Sequence, residues 1–185
     1  MSSQDPTPHP WQLVASEPGP DLLVGRARFD TVRNPRTGEA HRRFVLESPP
    51  WVNVVARTPT GAFVLVRQFR FGTASLTLEI PGGVVDPGED PLACAKRELA
   101  EETGYTSPSW TKLATVAPNP AFLTGACHQF LAEGCRRTAE PSLDPGEDIA
   151  VELFDEAEIL AAVRSGEIDH SLVLCALARV LDLRV

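Results

Sequence analysis

Alternating apolar and β-branched residues mark a series of short strands along the chain. Residues 51–57 and 62–69 are two such runs, and the Pro and Gly between them supply a turn, which predicts a hairpin. Runs of the same kind predict further strands at 77–80, 112–117, 127–133 and 149–153. The chain is therefore expected to build a sheet.

Apolar residues recur at helical intervals in three other segments. They predict helices at 90–103, 155–165 and 170–182. Helices placed among strands in this way predict an α/β fold in which helices cover a mixed sheet. The apolar residues of the last two helices are expected in the core, with part of a dimer interface as the alternative.

The N-terminal quarter of the chain has a different pattern. Residues 21–46 alternate around the turn-rich segment 34–38, which predicts a β-hairpin that forms a small N-terminal sheet. Residues 1–20 carry five prolines and little apolar surface, so we expect a flexible tail there. The remaining residues, 47–185, are expected to form one domain.

Composition narrows the classes of function. With 185 residues and 43% apolar content the chain suits one main domain with a substantial core. A net charge of −8 without a basic run argues against nucleic-acid binding, and no apolar stretch is long enough for a membrane span. Four cysteines without metal-ligand or disulfide spacing are expected to be reduced, so we predict a cytoplasmic protein.

The helix at 90–103 concentrates negative charge on one side. Asp90 is a good N-cap, and Gly104 can take the left-handed conformation beyond the last turn. At about 100° per residue, Glu98, Glu101 and Glu102 share one sector, away from the apolar stripe. Like charges at i,i+4 repel, which predicts a compensating cation nearby.

Oxygen ligands grouped in this way suit Mg²⁺ or Mn²⁺. Gly82 and Gly83 precede the helix and let the backbone approach closely enough to offer a carbonyl ligand. Arg97 is four residues from Glu101 and is expected to orient it. The alternative is an ordinary solvated helix, because similar acidic runs are common on exposed faces.

Together these residues form a spaced motif that resembles the Nudix box. Nine specified positions fall over 23 residues: Gly83, Glu89, Arg97, Glu98, Leu99, Glu101, Glu102, Gly104 and the apolar Tyr105. The resemblance implies an α/β/α sandwich that hydrolyses a nucleoside diphosphate linked to another group. It also implies metal ligation by Glu98, Glu102, Glu101 and the Gly82 carbonyl.

Two further segments are similar to the ADP-ribose and nucleoside diphosphate sugar pyrophosphatase branch of that family. They are the lead-in at 78–83, which contains Glu79, and Pro120, which stands 16 residues beyond Gly104. The resemblance implies that Arg70 contacts the diphosphate, with Arg67 as the second choice, because a guanidinium makes paired hydrogen bonds to phosphate. A solvated surface charge is the alternative for either arginine.

The pentapeptide at 144–148 repeats the one at 86–90, and two independent Pro-Gly turns explain the repetition. The segment that follows makes Glu147 resemble the glutamate that serves as catalytic base in this branch. Other branches place the base in the box, which makes Glu101 the competitor. The implied reaction is attack of water on one phosphorus, giving a nucleoside monophosphate and a sugar phosphate.

Recognition of the base is less constrained by the sequence. The branch stacks adenine on aromatic side chains and uses an N-terminal sheet to form a homodimer, which makes Trp51 a candidate, with core packing as the alternative. Glu79, Pro120 and Phe122 are further candidates for substrate binding. Residues 119–124 depart from the branch's usual pattern, which favours a broader range of nucleotide sugars. Hydrolysis of an oxidised or other non-standard nucleotide, and a non-catalytic ADP-ribose sensor, are the competing hypotheses.

Overall fold

The computed structural model describes residues 7–184 and divides them into two units. The first unit contains the chain up to residue 49 together with 119–125. Its antiparallel sheet consists of β1 (Gln12–Leu22), β2 (Gly25–Arg33) and β3 (Ala40–Glu47), in the order β1-β2-β3. The N-terminal sheet thus has three strands where the sequence predicts a hairpin of two.

The prediction of a flexible tail over residues 1–20 is wrong for residues 12–20, which belong to β1. Backbone pairing with β2 supplies the hydrogen bonds that this apolar-poor segment needs. Pro18 and Pro20 are tolerated because β1 is an edge strand, and its register shifts between Pro18 and Asp21. Residues 1–6 of the predicted tail lie outside the described residues.

The segment 119–125 also departs from the predicted domain boundaries, because it joins the first unit and interrupts the domain expected over 47–185. The Leu46 amide donates to the Phe122 carbonyl at 2.7 Å, and the Thr124 amide donates to the Leu46 carbonyl at 3.0 Å. The Phe122 ring packs on Phe44, with 5.9 Å between ring centroids. Backbone pairing and aromatic contact hold the segment against β3.

The second unit contains a six-stranded mixed sheet in the order β11-β5-β4-β9-β8, with β6 paired to β5. The β4–β9 pair is parallel, and the other pairs are antiparallel. A separate two-stranded sheet is formed by β7 and β10. The strands are β4 (Trp51–Arg57), β5 (Phe63–Arg70), β6 (Ser75–Glu79), β7 (Tyr105–Thr106), β8 (Ser109–Val116), β9 (Cys127–Glu133), β10 (Arg136–Arg137) and β11 (Ile149–Phe154).

Three helices complete this unit: α1 (Pro91–Thr103), α2 (Glu156–Ser165) and α3 (Ser171–Leu177). The helix predicted over 170–182 is therefore shorter than expected. Beyond Leu177 the amides of Arg179 and Val180 bond three residues back, so the chain continues in tight turns. None of the helices within residues 7–184 combines the length and apolar character needed to span a bilayer.

The core consists of two apolar clusters. Val52, Val54 and Ala56 of β4 pack with α1 in one cluster, and Val55 packs with α2 and α3 in the other. Successive residues of a strand point to opposite faces, so α1 covers one face and α2 and α3 cover the other. The predicted α/β fold with helices on a mixed sheet is confirmed.

Candidate active site

Helix α1 is bounded by its own sequence. The Asp90 side chain accepts hydrogen bonds from the amides of Leu92 and Ala93, and Pro91 occupies the first turn. Gly104 ends the helix with φ of 74°, a left-handed conformation that favours glycine. These caps fix which residues of the helix face the sheet.

Two carboxylates of α1 are buried at the end of the sheet. Glu98 is 8% exposed, Glu102 is 3% exposed, and one oxygen of Glu102 accepts a hydrogen bond from the Gly82 amide at 2.9 Å. A Cβ at Gly83 would stand 2.2 Å from the Glu98 carboxylate, so a side chain at this position would displace that carboxylate. The glycine pair thus lets the backbone approach both carboxylates.

The alternation of hydrogen bonds determines which way Gly82 faces. The carbonyls of Pro81 and Gly83 accept from Val54 and Val52 of β4, at 2.8 and 2.9 Å. Gly82, between them, turns its amide toward Glu102. Neither of these two bonds to β4 uses the Gly82 carbonyl, whose role as a metal ligand stays a prediction.

Arg97 joins three carboxylates around this site. It donates to Glu89 at 3.0 and 2.9 Å, to Glu98 at 2.8 Å and to Glu101 at 3.0 Å. The hydrogen bonds from Arg97 lower the pKa of Glu89 to about 2. The sequence predicts that Arg97 orients Glu101, and the structure adds Glu89 and Glu98 as its partners.

Burial and like charge make the α1 carboxylates hard to ionise. Desolvation, aided by the charges of Glu98 and Glu147, raises the pKa of Glu102 to about 8 in spite of the Gly82 hydrogen bond. Desolvation also raises the pKa of Glu98, in spite of Arg97. A cation between Glu98 and Glu102 would favour the ionised form of both carboxylates.

The donor set fits a hard divalent cation. Its side-chain ligands are carboxylate oxygens, and Gly83 leaves the space beside Glu98 free of a side chain. Within residues 7–184 no three acidic, His or Cys side chains converge as a finished coordination shell. The predicted ligands share one pocket, and Glu98 and Glu101 each bond Arg97 through one carboxylate oxygen, which leaves the other oxygen for a metal ion.

That pocket has a volume of about 400 Å³ and a strongly acidic wall. Two arginines, Arg70 and Arg97, stand against six acidic side chains, which leaves an excess of four acidic groups. The carboxylates are Asp86, Glu98, Glu101, Glu102, Asp144 and Glu147. An anionic diphosphate would enter this pocket only together with cations.

Glu147, the predicted base, lies on the pocket wall in a turn formed by 144–147. Its carboxylate accepts a hydrogen bond from the Asp144 amide at 3.0 Å. The structure gives it no cationic partner among residues 7–184. The competing base, Glu101, is bonded to Arg97.

Arg70, which lines this pocket, forms an ion pair with Glu79. The guanidinium donates to both Glu79 oxygens at 2.7 Å, and Thr77 adds a bond at 2.6 Å. Burial pushes the pKa of Glu79 upward, but the bonds from Arg70 and Thr77 outweigh it and hold that pKa below its ordinary value. Of the five donors of Arg70, those not committed to Glu79 are available to a ligand.

Arg67, the second choice for substrate contact, does not line this pocket, and its contact with substrate stays a prediction. Its guanidinium donates to Glu152 at 2.5 Å and to Glu167 at 2.7 Å, on the α2–α3 side of the sheet. Arg67 and Arg70 are three residues apart in β5, so they point to opposite faces. Arg67 links β5, β11 and the residue after α2.

A second cavity, of about 580 Å³, adjoins the acidic pocket and shares Arg70, Gly82, Gly83 and Val84 with it. Trp51 lines this cavity, as do Glu79 and Leu172. The other predicted substrate residues, Pro120 and Phe122, belong to the first unit, where Phe122 packs on Phe44. Their role in substrate binding stays a prediction.

Sequence reasoning missed several residues of the two pockets. Gln68 and Ser142 line the acidic one, and Asn53, Asp169 and His170 line the larger one. Asn53 carries a signal that was available, because it is a polar residue inside the apolar run of β4. Gln68 is likewise a polar residue within β5, whereas Ser142, Asp169 and His170 lie outside the helices and strands, where no periodicity marks them.

Comparison with known proteins gives three findings. A model of the NUDIX domain matches residues 48–175. The chain is 36% identical over 132 residues to an ADP-ribose pyrophosphatase of Bacillus subtilis (strain 168), covering 71% of each protein. It is 30% identical over 174 residues to an ADP-ribose pyrophosphatase of Mycobacterium tuberculosis (strain ATCC 25618 / H37Rv), covering 93% of this chain and 84% of that protein.

A solved structure described as an ADP compounds hydrolase superposes on the chain with a TM-score of 0.83. The superposition covers 95% of both chains at 18% sequence identity. At that identity the likeness concerns the fold, including both the sandwich and the additional small sheet.

Proposed function

The chain belongs to the NUDIX family, and from that membership we propose that it hydrolyses the diphosphate of a nucleoside diphosphate sugar such as ADP-ribose. The products are a nucleoside monophosphate and a sugar phosphate. The observation that carries the proposal is the burial of Glu98 and Glu102 beside the Gly82–Gly83 backbone, next to Arg70. This arrangement combines a place for cations with a donor for phosphate.

Enzymes of this family generally use divalent metal ions, and we propose Mg²⁺ here, with Mn²⁺ as the alternative. Glu98 and Glu102, with Glu101 and the Gly82 carbonyl, would hold the ion, because hard oxygen donors suit it. A bound divalent ion supplies a Lewis acid that polarises phosphoryl oxygens and lowers the pKa of bound water.

The residues of the chain divide the remaining work. Arg70 presents its uncommitted donors to the diphosphate, while Glu79 fixes the plane of its guanidinium. Glu147 takes the proton from water, since it lies on the wall of the acidic pocket without a cationic partner among residues 7–184. Glu101 is the second candidate for that role, and Arg97 is a positioning residue for both Glu98 and Glu101.

The test is a substrate panel of ADP-ribose, ADP-glucose, GDP-mannose, UDP-glucose and nucleoside triphosphates with Mg²⁺, using wild type and Glu98→Gln. We expect the diphosphate sugars to give monophosphate and sugar phosphate by chromatography, and Glu98→Gln to lose this activity. Turnover of triphosphates alone would reassign the substrate class. Tight binding of ADP-ribose without any turnover would favour the sensor hypothesis.

We also propose that the protein is a cytoplasmic homodimer. Free thiols at all four cysteines suit a reducing compartment. Leu13 and Val14 of the edge strand β1 are about half exposed, which suits burial against a second copy. Light scattering on the wild type and on Leu13→Glu tests the dimer, because the substitution should yield monomers.

A further inference from the structure

Asn53 is a buried amide with one end uncommitted. It is 7% exposed within β4, and its Oδ1 accepts a hydrogen bond from the Cys127 Sγ at 3.1 Å. Its Nδ2 donates to no protein group within residues 7–184 and opens onto the cavity of about 580 Å³. Because Nδ2 is accessible from the cavity and has no protein acceptor, a ligand that excludes water from the cavity must supply an acceptor for it.

The Cys127 thiol fixes the orientation of this amide. Burial raises the pKa of Cys127 to about 12, so the thiol keeps its proton and acts as the donor. The carbonyl end of the Asn53 amide therefore faces Cys127, and the nitrogen end faces away from it. A Cβ at Gly82 would stand 2.9 Å from Asn53 Nδ2, so glycine at this position leaves the nitrogen accessible.

The charges of the two pockets indicate which part of a ligand reaches Asn53. The acidic pocket has an excess of four carboxylates and requires cations, which suits the diphosphate. In the larger cavity Arg70 is paired with Glu79, and the remaining lining includes the Asp169 carboxylate, the His170 imidazole and the apolar Trp51 and Leu172. A neutral group with hydroxyls suits this wall, because a hydroxyl can accept from Asn53 and donate to Asp169.

We propose that Asn53 is a specificity-determining residue that donates a hydrogen bond to the sugar attached to the diphosphate, with Cys127 as its positioning residue. This inference rests on the proposed function. Asn53 Nδ2 lies beside Gly82, a residue that lines both pockets. A sugar is the part of the substrate attached directly to the diphosphate, so it is the part expected at this position. A nucleoside ribose and the distal sugar share this chemistry, and the experiment separates them.

The first measurement is kcat and KM for ADP-ribose with Mg²⁺ in wild type, Asn53→Leu and Gln129→Leu. Gln129 is the matched control because it stands opposite Asn53 in the β4–β9 register and is fully buried. Both of its amide ends are committed, to the Leu172 carbonyl at 3.0 Å and to Cys175 Sγ at 3.8 Å. We expect Asn53→Leu to raise KM about tenfold with kcat within about twofold, and Gln129→Leu to change KM less than about twofold.

Cys127 variants test the orientation without touching the cavity wall. Cys127→Ser keeps a donor to Asn53 and should retain the wild-type KM, whereas Cys127→Ala should raise KM about threefold. An unchanged KM in Asn53→Leu would overturn the proposal. An equal rise in Gln129→Leu would also overturn it, because the effect would then be one of packing.

Product inhibition identifies the sugar. AMP and ribose 5-phosphate are compared as inhibitors of wild type and Asn53→Leu, and the product whose inhibition constant rises about tenfold carries the contacted sugar. If neither constant changes, the proposal is wrong. A wild-type protein that turned over no diphosphate sugar would contradict the proposed function, and calorimetric binding of the same two products would then test Asn53 by itself.

Discussion

The turns at 86–89 and 144–147 have the same sequence and the same local hydrogen bonds, but different surroundings. In the first, the Asp86 amide donates to Glu89 at 3.0 Å; in the second, the Asp144 amide donates to Glu147 at 3.0 Å. Arg97 binds Glu89 with two further bonds, whereas Glu147 has no such partner among residues 7–184. The tetrapeptide thus determines the turn, and the tertiary contacts determine whether its glutamate is structural or available for chemistry.

The largest expected effect separates the two glutamates directly. We predict that Glu147→Gln lowers kcat for ADP-ribose by about 10²–10⁴-fold, the usual contribution of a general base. The melting temperature should change little, because a Gln side chain can still accept from the Asp144 amide. Steady-state kinetics and calorimetry check this, and a variant with near wild-type kcat would move the base to Glu101.

The next largest effect is expected at Arg97, which bonds the glutamate of the turn at 86–89. Arg97→Lys keeps the charge but loses the planar fork that reaches Glu89, Glu98 and Glu101 together. We predict a loss of about 10–100-fold in kcat, with a higher Mg²⁺ concentration needed for half-maximal activity. A magnesium titration of both proteins measures this, and an unchanged midpoint would show that Arg97 does not position the carboxylates.

A smaller effect is expected from Glu89→Gln, about tenfold in kcat, since Glu89 acts through Arg97. Its stability effect should depend on pH. Arg97 lowers the pKa of Glu89 to about 2 in the folded protein, so the carboxylate stabilises the fold above its unfolded pKa of about 4.5. The difference in melting temperature from wild type, without divalent metal, should shrink as pH falls from about 4.5 toward 2; a constant difference would contradict this account.

The smallest effect is expected on the far face of the sheet. Arg67→Met removes the bonds to Glu152 and Glu167, which lie away from both pockets. We predict less than a twofold change in KM for ADP-ribose, with a modest fall in melting temperature. The matched variant Arg70→Met should raise KM at least about tenfold, and equal kinetics for the two variants would remove Arg70 from the substrate site.

The elements that sequence predicts well are those with local causes. The caps at Asp90 and Gly104 bound α1 as expected, and helical spacing places Glu98 and Glu102 on one side. The strand β1 was missed because its stability comes from pairing with β2, while its own residues are polar and proline-rich. The alternation of β5 places Arg67 and Arg70 on opposite faces of the sheet, because they are three residues apart.

The site is less predictable than the fold because its contacts are distant along the chain. Asn53 and its partner Cys127 are 74 residues apart, and no local pattern joins them. The hydrogen bond between Gly82 and Glu102 spans 20 residues and follows only from the packing of α1 on β4. The resemblance to the family identifies Glu98, Glu101 and Glu102 from sequence, whereas the hydrogen bond between Asn53 and Cys127 can be identified only from the structure.

The parallel β4–β9 ladder also has a consequence for folding. The chain between β4 and β9 contains the strands β5 and β6 and all of α1, so the two paired strands are far apart in sequence. Loop-closure entropy makes such a long-range pairing slow compared with formation of α1 itself. We therefore expect α1 to form early, while its glutamates are still hydrated. These glutamates should be dehydrated only after residue 133 has been synthesised and β9 has paired with β4.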